Sequence, residues 1–128
     1  MFLSGCKLVL CSMKLLITGI NGFLGRHLTN HLSSKGFKVI ATGRKSVIHT
    51  GTDKFIYLKL DLLDTEQLFE LSKETKPDII IHTAAISKPD ECEANQELCI
   101  RTNFDATKNL ATAAKELQAK LIFISTDF

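Results

Sequence analysis

The chain has 128 residues, 45% hydrophobic and 23% charged. That is the balance of one globular domain and excludes a collagenous, disordered or low-complexity chain. The net charge is only +2, and no basic block concentrates it, so no nucleic-acid partner is expected. The most apolar stretch, 1–20, is interrupted by Lys7 and Lys14, so no membrane span is expected either.

Residues 1–12 read as a leader or a misassigned start ahead of a natural start at Met13. Residues 13–128 then form one domain. Cys6, Cys11, Cys92 and Cys99 match neither a zinc clamp nor a dense disulfide framework. They are expected as free thiols in a reducing, cytoplasmic compartment.

In chain order, 14–18 (KLLIT) is a short apolar run, a buried strand. Residues 19–25 form a glycine loop. From Phe23 the pattern turns helical, with Phe23, Leu24, His27, Leu28 and Leu32 at spacings of three and four. Gly36 stops that helix. A second strand is predicted at 37–42 (FKVIAT), a polar loop at 43–53, and a third strand at 55–60 (FIYLKL). The segment 44–54 has room for one poor element. Asp64 or Thr65 caps a helix carrying Leu68, Phe69 and Leu71 as far as Lys76. A fourth strand follows at 79–81, a loop with Pro89 at 87–95, a long helix at 96–118, and a fifth strand at 121–125.

Continuous apolar strands alternating with helices argue for an α/β fold with a parallel sheet covered on both faces. The expected architecture is a Rossmann-type doubly wound sheet of order 3-2-1-4-5, truncated after strand five.

The loop Thr18-Gly19-Ile20-Asn21-Gly22-Phe23-Leu24-Gly25 fits Gly-x-x-Gly-x-x-Gly, one residue away from the dinucleotide fingerprint. Gly19 allows a sharp turn after the first strand. Gly22 lets the backbone approach a pyrophosphate, and Gly25 lets the helix pack closely. The helix N-terminus then offers free amides and partial positive charge.

A site for NAD needs a carboxylate at the end of strand two to hold the ribose 2′-hydroxyl. Here Gly43-Arg44 stands there, and 37–52 contains no acid. Arg44 can bind a 2′-phosphate, so NADP(H) is favoured over NAD(H). Asp61-Leu62 and Ala84-Ala85 fall at the carboxyl ends of strands three and four, where open α/β sheets bind ligands. His27 and His31 are four apart on one helix, but no partner ligand is evident and no metal is expected.

These motifs, with His82-Thr83-Ala84-Ala85, Asn103 to Leu110 (NFDATKNL), the loop 87–93 and Ser125-Thr126-Asp127-Phe128, resemble an extended short-chain dehydrogenase/reductase. The resemblance covers 13–128 and is nearest to the dTDP-4-dehydrorhamnose reductase branch. That branch also holds a regulatory subunit, the beta subunit of methionine adenosyltransferase. The resemblance implies pyrophosphate amides from Gly22, Phe23 and Leu24, with Gly19, Asn21 and Gly25 shaping the loop. Asp61 and Leu62 border adenine. Ala84, Ala85 and Ile86 line the path to the nicotinamide. Asn103 faces the active site and holds a water of the proton relay, Thr126 is the catalytic hydroxyl on the substrate carbonyl, and Asp127 borders the substrate. A sugar-nucleotide substrate and a homodimer are implied for a full-length form only.

The pattern breaks at the family's acid, a Tyr four residues before a Lys, where the Lys lowers the phenol's pKa. The single tyrosine is Tyr57, and four residues on stands Asp61. The 128 residues are therefore expected to be a fragment that binds cofactor without turnover. The apolar fifth strand is expected as an uncovered edge. The alternative implied is a non-catalytic NADP-binding regulatory subunit.

Overall fold

The computed structural model describes residues 12–45 and 54–125. Five strands, β1 (Lys14–Thr18), β2 (Lys38–Gly43), β3 (Ile56–Lys59), β4 (Ile79–His82) and β5 (Lys120–Phe123), form one sheet of order β3-β2-β1-β4-β5. Every pairing is parallel, with Leu16 opposite Ile40 on one side and Ile80 on the other. The predicted architecture is the observed one, with strand ends moved by one or two residues. Residues 1–11 of the expected leader (1–12) and most of the 44–54 segment lie outside the described residues.

The helices are α1 (Phe23–Ser34), α2 (Thr65–Thr75), α3 (Pro89–Ala94), α4 (Gln96–Ile100) and α5 (Ala106–Leu117). Alternate residues of a strand point to opposite faces, and β1 divides accordingly. Leu16 joins Ile40, Ile80, Leu68, Leu71 and Leu110 beneath α2 and α5. Leu15 and Ile17 join Val39 and Ile81 on the α1 side. Helices therefore cover both faces, as a buried parallel sheet requires. Asp64 caps α2, its Oδ1 accepting from the Gln67 amide at 3.0 Å. Gly36, at φ 91°, follows α1 in the left-handed conformation that favours glycine.

Three expectations further along the chain are corrected, and in α1 the buried stripe is Gly25, Thr29 and Ser33. Leu28 and Leu32 only flank it, and Phe23 is 81% exposed. Small residues four apart bring the helix axis close to the sheet, and larger ones would hold it off.

The predicted loop 87–95 contains α3, with Pro89 in its first turn followed by Asp90 and Glu91. Proline suits a helix start, where its missing N–H is no loss. The predicted helix 96–118 is broken by a π-turn at Arg101–Asp105, which re-aims Asn103 toward the cavity loop.

Cys92 and Cys99 are not free thiols but a disulfide pair, because the turn at Asn95 folds α4 back and sets their Cα atoms 5.2 Å apart. β5 is an edge strand among the described residues, with Ile122, Phe123 and Ile124 exposed. No helix of the described residues is long and apolar enough to cross a membrane.

Candidate functional site

The crevice lies where the winding of the sheet reverses, between the carboxyl ends of β1 and β4. This is the switch point at which such sheets take ligands. A cavity of about 470 Å³ opens there, walled by the glycine loop, by Arg44 and Lys45 after β2, by Asp61 to Leu63 after β3, and by Thr83 to Ile86 after β4.

The glycine loop is tied to β2, since the amides of Gly19 and Ile20 both donate to the Thr42 carbonyl at 3.1 and 3.2 Å. Gly19 sits at φ 78°, a conformation open to glycine without strain. A Cβ there would lie 2.7 Å from the Ala84 nitrogen. Gly25 is still more constrained, because a Cβ would stand 2.2 Å from the Gly19 carbonyl oxygen and 2.8 Å from Thr83 Oγ1. Gly22 differs: its nearest neighbour would be the Gly19 oxygen at 3.3 Å, and the space beyond belongs to the cavity.

Gly22 is also the N-cap of α1. No side chain caps that helix, and its first turn carries no acid. The first amides of a helix have no partner within it, so α1 presents donors and the positive end of its dipole to the cavity.

From Thr18 in the lining a polar chain runs through His82 to Thr107. Thr107 Oγ1 donates its one hydrogen to the Asn103 carbonyl at 2.6 Å, so at 3.0 Å from His82 Nε2 it must accept. His82 therefore carries its proton on Nε2, and Nδ1 accepts from Thr18 Oγ1 at 2.7 Å. Burial pulls the His82 pKa down to about 4, since a buried imidazolium loses its hydration. Thr83 Oγ1 donates to the Thr18 carbonyl at 2.7 Å, closing β4 onto β1.

Of the predicted residues, Gly19, Asn21, Gly22, Arg44, Asp61, Leu62, Ala84, Ala85 and Ile86 all line the cavity. Phe23 and Leu24 turn their side chains to solvent and are not among the residues lining it. Gly25 is buried at the helix–strand contact. Asn103 acts one step back, with Oδ1 accepting from the Ile86 amide at 2.8 Å and Nδ2 donating to its carbonyl at 2.9 Å. Thr126 and Asp127 lie outside the described residues.

Sequence reasoning passed over Lys45, Leu63, Thr83, Thr102 and Ala106 in the lining. It also passed over Asn109, whose Nδ2 donates to the Leu62 carbonyl at 3.0 Å. His27 Nδ1 is engaged with the Phe23 carbonyl at 2.9 Å. Among the described residues no group of three His, Cys, Asp or Glu could hold a metal.

Three glycines around an uncapped helix start, at the switch point of a 3-2-1-4-5 parallel sheet, define a Rossmann-type doubly wound domain. The comparisons narrow this class. The chain belongs to the RmlD substrate binding domain family, whose model matches residues 13–128. It is 32% identical over 117 residues to methionine adenosyltransferase 2 subunit beta of Rattus norvegicus, covering 91% of this chain and 33% of that protein. It is 31% identical over 113 residues to dTDP-4-dehydrorhamnose reductase of Streptomyces griseus, covering 88% and 33%. The structure is similar to that of dTDP-4-dehydrorhamnose reductase from Bacillus anthracis str. Ames in complex with NADP, with TM-score 0.76 and 31% identity over 91% of this chain and 37% of that one. The chain thus spans about a third of the length of the curated relatives it matches.

Proposed function

We propose that these residues are the cofactor-binding part of an NADP(H)-dependent reductase acting on a nucleotide-linked keto-sugar in the cytoplasm. The observation that carries this reading is the uncapped start of α1 behind Gly22, facing a cavity that a glycine side of the loop leaves open. In it the amides of Phe23 and Leu24 hold the pyrophosphate; the Gly22 amide, expected to share this role, is already given to the Gly19 carbonyl at 2.9 Å, and Gly22 joins Gly19, Asn21 and Gly25 in shaping the loop. Asp61 and Leu62 border the adenine, and Ala84, Ala85 and Ile86 flank the nicotinamide ribose.

Arg44 takes the 2′-phosphate, supported by the lining itself, in which Asp61 is the one acid and Arg44 and Lys45 stand after β2. Bound NADPH supplies the hydride for carbonyl reduction. Thr126 hydrogen-bonds the substrate carbonyl and Asp127 borders the substrate. Asn103 keeps Ile86 in the wall through its two backbone bonds. The proton donor is not among these residues, because Tyr57 is the one tyrosine and Asp61, not Lys, stands four residues on. The 128 residues therefore bind cofactor without turnover, and sugar-nucleotide reduction and a homodimer belong to a longer form.

Titration with NADPH and NADH, followed by nicotinamide fluorescence, tests the reading. NADPH binding more tightly is expected. Tighter NADH binding removes the Arg44 argument, binding of neither removes the nucleotide site, and robust turnover by the 128 residues removes the missing-acid argument. A second reading, a non-catalytic NADP-binding regulatory subunit, is favoured by the methionine adenosyltransferase 2 subunit beta likeness, 32% over 117 residues against 31% over 113 to the reductase. A Tyr-x-x-x-Lys pair in the longer protein separates the two.

A further inference from the structure

Tyr57 has no part in the reaction outlined above, yet its hydroxyl stands at the junction of two walls of the cavity. It projects from β3, half-buried, and donates to the Gly43 carbonyl at 3.0 Å and to the Lys45 carbonyl. These two carbonyls bracket Arg44, so one phenolic hydrogen shared between them holds the backbone on either side of that cation. The side chain of Asn21, in the glycine loop, approaches the same turn.

Asn21 and Tyr57 also close over Gly43. A Cβ on Gly43 would lie 2.5 Å from Asn21 Nδ2 and 3.4 Å from the Tyr57 hydroxyl. Among the described residues no other side chain bonds this turn, and Arg44 and Lys45 are themselves exposed. Long exposed cations have much rotamer freedom to lose on binding an anion, so the placing of their backbone governs how well they meet it.

We propose that Tyr57 is a positioning residue that determines cofactor specificity: its hydroxyl holds the turn carrying Arg44 and Lys45 where that turn meets the glycine loop, and so sets both cations where a 2′-phosphate lies. The proposal rests on the NADP(H) reading of the cavity. It makes the placing of the 2′-phosphate end depend on Tyr57, at the turn against which Asn21 of the glycine loop packs.

The test is Tyr57→Phe, which keeps the ring and its packing and removes only the hydroxyl. Dissociation constants for NADPH and NADH are measured on the chain and on the variant. The expected result is NADPH affinity weakened roughly 3- to 10-fold, the worth of one or two hydrogen bonds, with NADH affinity changed less than about twofold. Equal weakening of both nucleotides marks a merely structural hydroxyl and overturns the proposal, as does an unchanged ratio. An unaltered chain with no preference for NADPH refutes the cofactor reading itself, and the proposal falls with it. A preference that survives undiminished in the variant refutes the proposal alone.

A second measurement needs no variant. Tyr57 is the single tyrosine, so tyrosine-selective ring labelling gives one residue's NMR signals. They are expected to shift with adenosine 2′,5′-bisphosphate and to move much less with 5′-AMP. Signals indifferent to the 2′-phosphate overturn the proposal.

Discussion

Gly22 and Gly25 are three residues apart in the same motif, and alanine at each should fail in opposite ways. At Gly25 the added methyl meets backbone, with the Gly19 oxygen at 2.2 Å, the Gly19 carbonyl carbon at 2.7 Å, and Thr83 Oγ1 at 2.8 Å. Backbone cannot rotate aside, so α1 must move away from the end of β1. Alanine gains about 1 kcal/mol of helix propensity over glycine. Overpacking a site walled by main chain costs about 3 kcal/mol or more. The net loss is about 2 kcal/mol, or roughly 6–10 °C in Tm for a chain of this size.

At Gly22 the backbone is extended, φ −82° and ψ 166°, and the nearest atom stands 3.3 Å away. Alanine there restricts the unfolded chain, worth about 0.4–1 kcal/mol, and caps α1 less well than glycine by a similar amount. Stability should therefore stay within about 1 kcal/mol of the original. The methyl nevertheless occupies the cradle, and displacing a phosphate from its amides should weaken NADPH about tenfold or more, equivalent to about 1.4 kcal/mol. Thermal melts and NADPH titrations of both variants form the assay. A Gly25→Ala chain that melts as before would refute the packing argument. A Gly22→Ala chain that binds as before would refute the cradle.

His82 makes stability depend on pH. Its folded pKa is pulled down to about 4 by burial, below the unfolded value near 6.5. The unfolded chain therefore binds the extra proton between those values, and stability that is complete above the upper one drains away as pH falls toward the lower. The loss is roughly 3 kcal/mol at most. Urea melts across that window measure it, and a His82→Gln variant with the same slope would show that the histidine is not its source. Replacing Asn103 by Ala leaves both backbone groups of Ile86 without their partner. Faster hydrogen exchange at the Ile86 amide and a few-fold loss of NADPH affinity are expected, and unchanged protection there would deny Asn103 its hold on the wall. Reducing the Cys92–Cys99 bond opens a loop of sequence separation 7, which by chain entropy costs about 2 kcal/mol. Melting the chain with and without a dithiol checks this, and identical curves would count against the bridge as a stabilising element.

The sheet could be read from the sequence because every strand is a short apolar run and each strand pairs with neighbours the winding rule already orders. Helix α1 could be placed but not oriented. Its apolar residues suggested a face, yet the face that packs is Gly25, Thr29 and Ser33, since closeness to a sheet selects small side chains and an apolar pattern records only hydrophobicity. A four-residue repeat of small residues beginning at the motif's last glycine was the available signal. The π-turn left no such trace. Residues 96–118 keep a helical period on both sides of it, and the insertion shows only in where Asn103 ends up.

The same distinction separates the parts of the site. What local backbone geometry demands is written locally, and the glycines, Arg44, Asp61 and the small residues after β4 each sit at a strand end that the pattern had located. What holds those pieces in register comes from far along the chain. Thr83 reaches Thr18 across 65 residues, Asn109 reaches Leu62 across 47, and Tyr57 reaches Gly43 across 14. Each is an ordinary polar residue on an ordinary element, and nothing in its neighbours distinguishes it. Each also bonds to a main-chain carbonyl, which every residue type offers equally, so its partner has no signature of its own. A polar side chain one turn past a strand end, or on the helix face beside it, is therefore where a supporting contact should be sought once the topology is known. Tyr57, inside β3 itself, lies outside that rule, and it is the one whose loss should change which cofactor is bound rather than whether the chain folds.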